Sequence, residues 1–143
     1  MIITEPKSVE DFEKYYQLRW EVLRKPWNKP RGSERDEMEE SCIHAMATND
    51  LGEVLAVCRL QFNSAEEAQI RYMAVKENTQ GMGIGGAIIS YIEKTAINKG
   101  KKIIVLHARE NATGFYKKNG YNIMKTTYIL WGEIQHYLMK KNL

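Results

Sequence analysis

Residues 74–94 read AVKENTQGMGIGGAIISYIEK, with Gly81, Gly83, Gly85 and Gly86 inside six positions and helical periodicity straight after them. Such a cluster does not belong inside a helix or strand, where each glycine costs about 0.5–1 kcal/mol relative to alanine. It reads as a turn from a strand ending in "MAV" into a helix, so the flanking chain must supply that strand and a surface for that helix. Glycines at such a turn let the backbone come close to a ligand. The first helical N–H groups are unpaired there, and the helix dipole favours negative charge. A pyrophosphate suits the loop. The same glycines can instead serve helix–sheet contact, and both uses stay open at this point.

The surrounding chain alternates strands and helices without linker, repeat or low-complexity segment. "MIITE" is a short strand ended by Pro6, and Ser8-Val9-Glu10-Asp11 has a capping-box pattern. Val9, Phe12, Tyr16, Trp20 and Leu23 then recur at helical spacing, so the first helix runs to about Leu23. Residues 24–41, RKPWNKPRGSERDEMEES, hold two prolines, a glycine and ten charges, an irregular excursion with room for a short helical turn. "IHAMAT", "EVLAVCRLQF" and "AQIRYMAV" are three strands joined by short polar turns, an antiparallel meander. After the glycines, Ile84, Ile88, Tyr91, Ile92, Thr95 and Ala96 form one helical stripe that stops at Gly100. "KIIVLHA" is nearly all apolar, which predicts burial on both faces and a parallel neighbour. "NATGFYKKNGY" predicts a short helix closed by Gly120, and "YNIMKT" and "IQHYLMK" are two final strands. The expected fold is α/β (α+β), a mixed, mostly antiparallel sheet of about six to seven strands flanked by about four helices. All of it is expected in one domain, residues 1–143, an ordinary domain size.

Other loop chemistries fail on context. Gly81, Gly83 and Gly86 satisfy G-x-G-x-x-G, but a dinucleotide fold needs that fingerprint to open a βαβαβ run, and here three antiparallel strands precede it. A P-loop needs Lys and Ser/Thr after its second glycine, whereas Ala87-Ile88 follow Gly86. The net charge is +3, with acids and bases mixed along the chain, which argues against nucleic acid. No apolar run of 18 residues suggests a membrane span. The first residues lack a basic, then apolar, leader pattern, and the expected compartment is the cytoplasm. Cys42 and Cys58 have no C-x-x-C spacing, and the three scattered histidines make no metal site.

At this point the residues carry a family resemblance. Gln80-Gly81-Met82-Gly83-Ile84-Gly85 matches the Q/R-x-x-G-x-G/A motif of the GNAT acetyltransferases, and Asn111 followed by "GFYKKNGY" matches the second half of that fold. The resemblance covers Ala68 to Met124, and the element order extends it over the chain. The tail "GEIQHYLMKK" and Arg19 to Glu40 resemble small bacterial members that end in a strand carrying H-x-x-M after a glycine. The resemblance implies acetyl-CoA as donor, held between two splayed strands. It also implies that the backbone of Met73, Ala74 and Val75 pairs with the pantetheine arm. The amides of Gly81, Met82, Gly83, Ile84, Gly85 and Gly86 would hold the pyrophosphate, with Gln80 shaping the turn. Asn111 would reach the pantetheine amide, Phe115 would pack beside the thiol, and Tyr116 would protonate the leaving thiolate.

The implied activity is an N-acetyltransferase that moves an acetyl group to a primary amine of a small molecule or peptide by direct attack in a ternary complex. An alkyl amine of pKa ~10.4 is protonated at pH 7, and freeing its lone pair costs about 4 to 5 kcal/mol. Attack then builds an oxyanion, which a backbone N–H near Val75 could stabilise. Better-known members carry a Glu or His on the fourth strand as base, but the matching positions here hold Gln69 and Arg71. Proton removal through water to Glu67, Glu21 or His136 is the alternative, and His136 has the best intrinsic pKa. Histidines scattered in strands, here His44, His107 and His136, are more often satisfied structural residues.

The acidic run from Glu34 to Glu40 has two readings: a surface that steers a cationic amine, or a solvated helix start. Trp20 and Trp27 could wall the acceptor pocket, and Trp20 reads better as core. A second function class stays open, a non-catalytic acetyl-CoA-binding sensor or partner module. Monomer and homodimer are both open as well.

Overall fold

The computed structural model describes residues 1–143. Its order is β1 (Ile2–Thr4), α1 (Val9–Leu23), β2 (Ile43–Thr48), β3 (Val54–Phe62), β4 (Glu67–Val75), α2 (Ile84–Asn98), β5 (Ile103–Arg109), α3 (Thr113–Lys118), β6 (Asn122–Leu130) and β7 (Ile134–Asn142). One sheet runs β1-β2-β3-β4-β5-β7-β6. Every neighbouring pair is antiparallel except β4 and β5. The mixed, mostly antiparallel expectation holds, with three α-helices instead of about four. The difference lies in the 24–41 excursion, which forms two isolated 3-10 turns, Lys25–Trp27 and Glu39–Ser41.

Local chemistry explains the element boundaries. The Ser8 hydroxyl accepts from Asp11 N–H, and the Asp11 carboxylate accepts from the Ser8 N–H, so α1 starts on a complete capping box. The Asn49 side chain closes the β2–β3 turn by accepting from the Leu51 and Glu53 amides. Gly100 after α2 and Gly120 after α3 sit at φ 79° and 93°, where a glycine ends a helix without strain.

Two cores lie on opposite faces of the sheet. On one, Ile84, Ile88, Ile89, Ile92 and Ala96 of α2 pack on Cys58, Leu60, Ile70, Ile104 and Leu106. Ile88, Ile89 and Ile92 are at most 1% exposed, and at about 1.5–3 kcal/mol per buried side chain they anchor α2 firmly. On the other face Tyr15, Tyr16 and Leu18 of α1 meet Met46, Val57 and Ala74. The expected α1 stripe is partly corrected, because Val9 is 79% exposed while Tyr15 and Arg19 are fully buried. β5 is also corrected. Ile104, Leu106 and Ala108 are buried, whereas Val105, His107 and Arg109 on the alternate face are half-buried, and α1 meets that face at its end, where Leu23 O accepts from Arg109.

Three of the five acids in the run, Glu34, Asp36 and Glu39, are tied into the fold instead of solvated, and Glu37 and Glu40 are exposed. Asp36 takes two hydrogen bonds from Arg59 at 2.7 and 2.9 Å, and one Glu39 oxygen accepts from both Arg59 and Arg19 at 2.8 and 2.9 Å. Arg19 and Arg59 are fully buried, and a buried guanidinium requires such partners. The Arg59 guanidinium holds the Asp36 carboxyl down at about 2. The excursion is thereby pinned across α1, β3 and β4.

Candidate active site

β4 and β5 pair from Glu67↔Ile103 to Ile70↔Leu106 and then part. A bulge contributes to the separation. Val57 opposes Ala74 and Arg59 opposes Arg71, so two steps along β3 meet three along β4. The extra residue is Tyr72, at φ 53°, with the guanidiniums of Arg19, Arg24, Arg59 and Arg71 all within 5.7 Å of its ring centroid. That left-handed conformation is unfavourable for a tyrosine, and the surrounding cations hold the ring in place.

The parted strands open a cleft of about 930 Å³. Lys76 N–H bonds Leu55 O on β3, so strand alternation turns the backbone of Val75 toward the cleft. By the same alternation Met73 faces the cleft, and Ala74 between them pairs with Val57. The Val75 carbonyl accepts from the Gln80 side chain at 3.2 Å, which ties the strand end to the glycine loop.

Three of the four glycines divide the work. Gly81 and Gly83 occupy φ 85° and 81° with open space where a Cβ would sit, so they serve the turn. At Gly85 a Cβ would stand 2.9 Å from Phe115 Cε1 and 3.4 Å from Val75 Cγ2, so this glycine serves close packing. The packing reading therefore holds at Gly85, while Gly81 and Gly83 are needed by the backbone of the turn. The amides of residues 81–86 donate to nothing in the chain, and the first α2 bond runs from Ala87 to Gly83 O. Gly83, the N-cap, offers no side-chain cap. The result is a row of free N–H groups at a helix N-terminus, which suits an anion. Ile84 has its side chain in the core and Met82 is 70% exposed, so these two contribute backbone alone.

From the β5 side, the turn at Glu110–Ala112 brings Asn111 to the cleft, and α3 brings Phe115 and Tyr116. Phe115 and Tyr116 meet edge to face at 5.0 Å. Tyr116 is 7% exposed, its hydroxyl makes no hydrogen bond within the chain, and burial pushes its phenol pKa up. The phenol is protonated at neutral pH, and its proton is free of any partner in the chain.

On the α1 face, His136 lines the cleft and stacks on Tyr128 at 4.4 Å between centroids. Its Nδ1 lies 3.0 Å from Ile134 O. A carbonyl can accept alone, so Nδ1 donates and the neutral ring presents its lone pair at Nε2. Burial lowers the His136 pKa, which keeps the ring neutral. Glu67 and Glu21 do not line the cleft; Glu67 accepts from Asn63 and Glu21 from Gln17. Gln69 and Arg71 do line it. His44 is satisfied by the Tyr15 hydroxyl and Glu39 O. Trp20 is half-buried and donates to Lys29 O, and Trp27 lies against Trp131 outside the cleft.

Arg24, Tyr72, Arg109 and Tyr128 were not singled out from the sequence, yet all four line the cleft. Arg109 left a signal, a lone charge ending the apolar strand "IIVLHAR"; the Tyr72 bulge left none.

The profile described as the acetyltransferase (GNAT) family matches residues 12–121. YjcF of Bacillus subtilis (strain 168), named as an uncharacterized N-acetyltransferase, is 28% identical over 136 residues, 95% of this chain and 96% of its own. The fold is similar to an aminoglycoside 6′-N-acetyltransferase complexed with coenzyme A, with TM-score 0.82 at 17% identity, covering 99% of this chain and 97% of that one. It is also similar to a GNAT acetyltransferase of Elizabethkingia anophelis with acetyl-CoA bound, with TM-score 0.72 at 19% identity over 99% and 97% of the two chains. At those identities the solved structures speak for the fold, and the profile match carries the assignment: the chain belongs to the acetyltransferase (GNAT) family.

Proposed function

We propose that residues 1–143 act as one N-acetyltransferase domain that moves the acetyl group of acetyl-CoA to a primary amine of a small molecule or peptide, by direct attack in a ternary complex. The observation that carries this reading is the split cleft. The free amides of residues 81–86, Asn111, Phe115 and Tyr116 stand on its α2/α3 side, and Tyr128 and His136 stand on its α1 side. Donor and acceptor can therefore approach one point from opposite faces of the sheet.

Acetyl-CoA supplies an activated acyl group and a thiolate leaving group. The loop amides and the α2 dipole hold its pyrophosphate, and the backbone edges of Met73 and Val75 take the pantetheine arm as an added strand. Asn111 reaches the amide of that arm. The Val75 N–H, turned into the cleft, donates to the carbonyl oxygen as negative charge develops on it. His136 Nε2 takes the proton of the amine, directly or through one water. Tyr116 gives its proton to the departing sulfur.

The absence of any carboxylate from the cleft lining favours a second reading, a sensor that binds acetyl-CoA without turnover. Thiol release from acetyl-CoA, over a panel of amino acids, amino sugars, polyamines and lysine peptides, separates the two. Transfer predicts release above the no-enzyme rate for at least one acceptor. Tight acetyl-CoA binding with no release across the panel favours the sensor.

A further inference from the structure

On the acceptor side of the cleft, two guanidiniums converge on one carbonyl. Arg24 Nη1 and Arg109 Nη2 both donate to Leu23 O, at 3.1 and 3.0 Å. Arg24 spends one further donor, Nε, on Ser33 O at 3.0 Å. Each guanidinium has five N–H donors, so most of their capacity is uncommitted. Neither forms an ion pair, although Arg71 beside them reaches Asp36 at 3.5 Å. Both side chains are half-buried.

A bland account treats Arg24 as a cation at the C-terminus of α1, where the dipole welcomes it. That account leaves Arg109 unexplained. Arg109 comes from β5, on another element, and sits beside a like charge with no acid lining the cleft to offset it. Two part-buried cations without a counter-ion are costly. Burial holds both below the usual arginine value, and for Arg109 the Arg24 charge adds to this.

We infer that the acceptor is an amine carrying an anionic oxyacid group, carboxylate or phosphate, which docks on Arg24 and Arg109. This rests on the acetyl-transfer reading above. Arg109 is the cross-strand partner of His136, so the two side chains share a face, and the anion sits beside the base that receives the amine proton. The amine and the oxyacid are therefore a few bonds apart, as in an amino acid or a small aminoalkyl phosphate. The stacked Tyr128–His136 pair, with His107 tilted against Tyr128 at 5.6 Å, gives an aromatic wall for a ring or apolar side chain. A polycationic acceptor meets the wrong sign of charge.

The test uses coenzyme A-loaded protein and three product-like probes: N-acetyl-L-phenylalanine, its phosphonate analogue and its carboxamide. The expected result is that one acid binds at least tenfold more tightly than the carboxamide in calorimetry. The better acid tells carboxylate from phosphate. The preference collapses toward one in Arg109→Gln and in Arg24→Gln. Equal binding of acid and amide by the unaltered protein overturns the inference, and that arm needs no variant. So does a preference that survives both substitutions. A tenfold loss of coenzyme A affinity in either variant also overturns it, because the arginines would then serve the donor. If no amine releases thiol yet the acid preference and its loss in the variants persist, the anion site stands and the transfer reading falls.

Discussion

Replacing Gly85 by alanine tests whether the glycine loop also sets the catalytic wall. The new Cβ would lie 2.9 Å from Phe115 Cε1 and 3.0 Å from Cζ, against about 3.5–4.0 Å for carbon atoms at rest. Gly85 is helical, so its backbone carries no left-handed strain and the effect is steric. The ring must retreat by roughly 0.5–1 Å, and it packs edge-on against Tyr116. Overpacking of this kind costs about 1–3 kcal/mol, or a fall in Tm of about 3–12 °C for a chain of this size. The assay is urea unfolding of four proteins, wild type, Gly85→Ala, Phe115→Leu and the double variant. If the clash is with Phe115, trimming that ring relieves it, and the cycle shows a favourable coupling of about 0.5–3 kcal/mol. Additivity within about 0.3 kcal/mol would refute the contact as the reason for glycine.

Gly83→Val should weaken acetyl-CoA binding by at least tenfold with the circular dichroism spectrum retained, since φ 81° strains any side chain by about 1–2 kcal/mol and relaxing it re-aims the loop amides; unchanged affinity in calorimetry would separate the loop from the cofactor. Asp36→Asn should cost about 3 kcal/mol in urea unfolding, at the low end for breaking a buried pair because Glu39 still holds Arg59, whereas exposed Glu37→Gln should stay within about 0.5 kcal/mol. His44, His107 and His136 all titrate below the ordinary value of about 6.5, chiefly through burial. The unfolded chain then binds more protons than the folded one, so stability is full above pH 6.5 and falls as pH drops through the folded values. The Asp36 contribution should survive that range and be lost only between about pH 4 and 2. Tm followed from pH 8 to 3 checks the sign, and a Tm that rises between pH 7 and 5 would contradict it.

The glycine cluster, the capping box at Ser8 and the antiparallel meander were legible because each is a local pattern with a local cause. The family motif added the cleft residues that lie next to it in sequence, Gln80 to Gly86 and Asn111 to Tyr116. What stayed hidden was set by pairing across the sheet. The acidic run looked solvated because nothing local tells Asp36 and Glu39 that buried Arg19 and Arg59 await them, although an arginine inside "VLAVCRLQF" was a hint. The half-open face of β5 was masked by its apolar composition, since alternation cannot be read from a strand whose two faces are both mostly apolar. Tyr72 owes its left-handed backbone to a register shift against β3, and a register is a property of two strands.

The reading of Tyr116 as the proton donor is tested most directly by the rate of thiol release in Tyr116→Phe, on the best acceptor of the panel with chemistry shown to be rate-limiting. The phenol bonds to nothing in the chain, so its removal should leave Tm and acetyl-CoA affinity nearly unchanged, while kcat falls by about 10² to 10⁴, the range for a positioned general acid. A kcat within threefold of wild type, or a stability loss of about 1–3 kcal/mol with the rate per folded molecule preserved, would contradict the mechanism and return Tyr116 to the core.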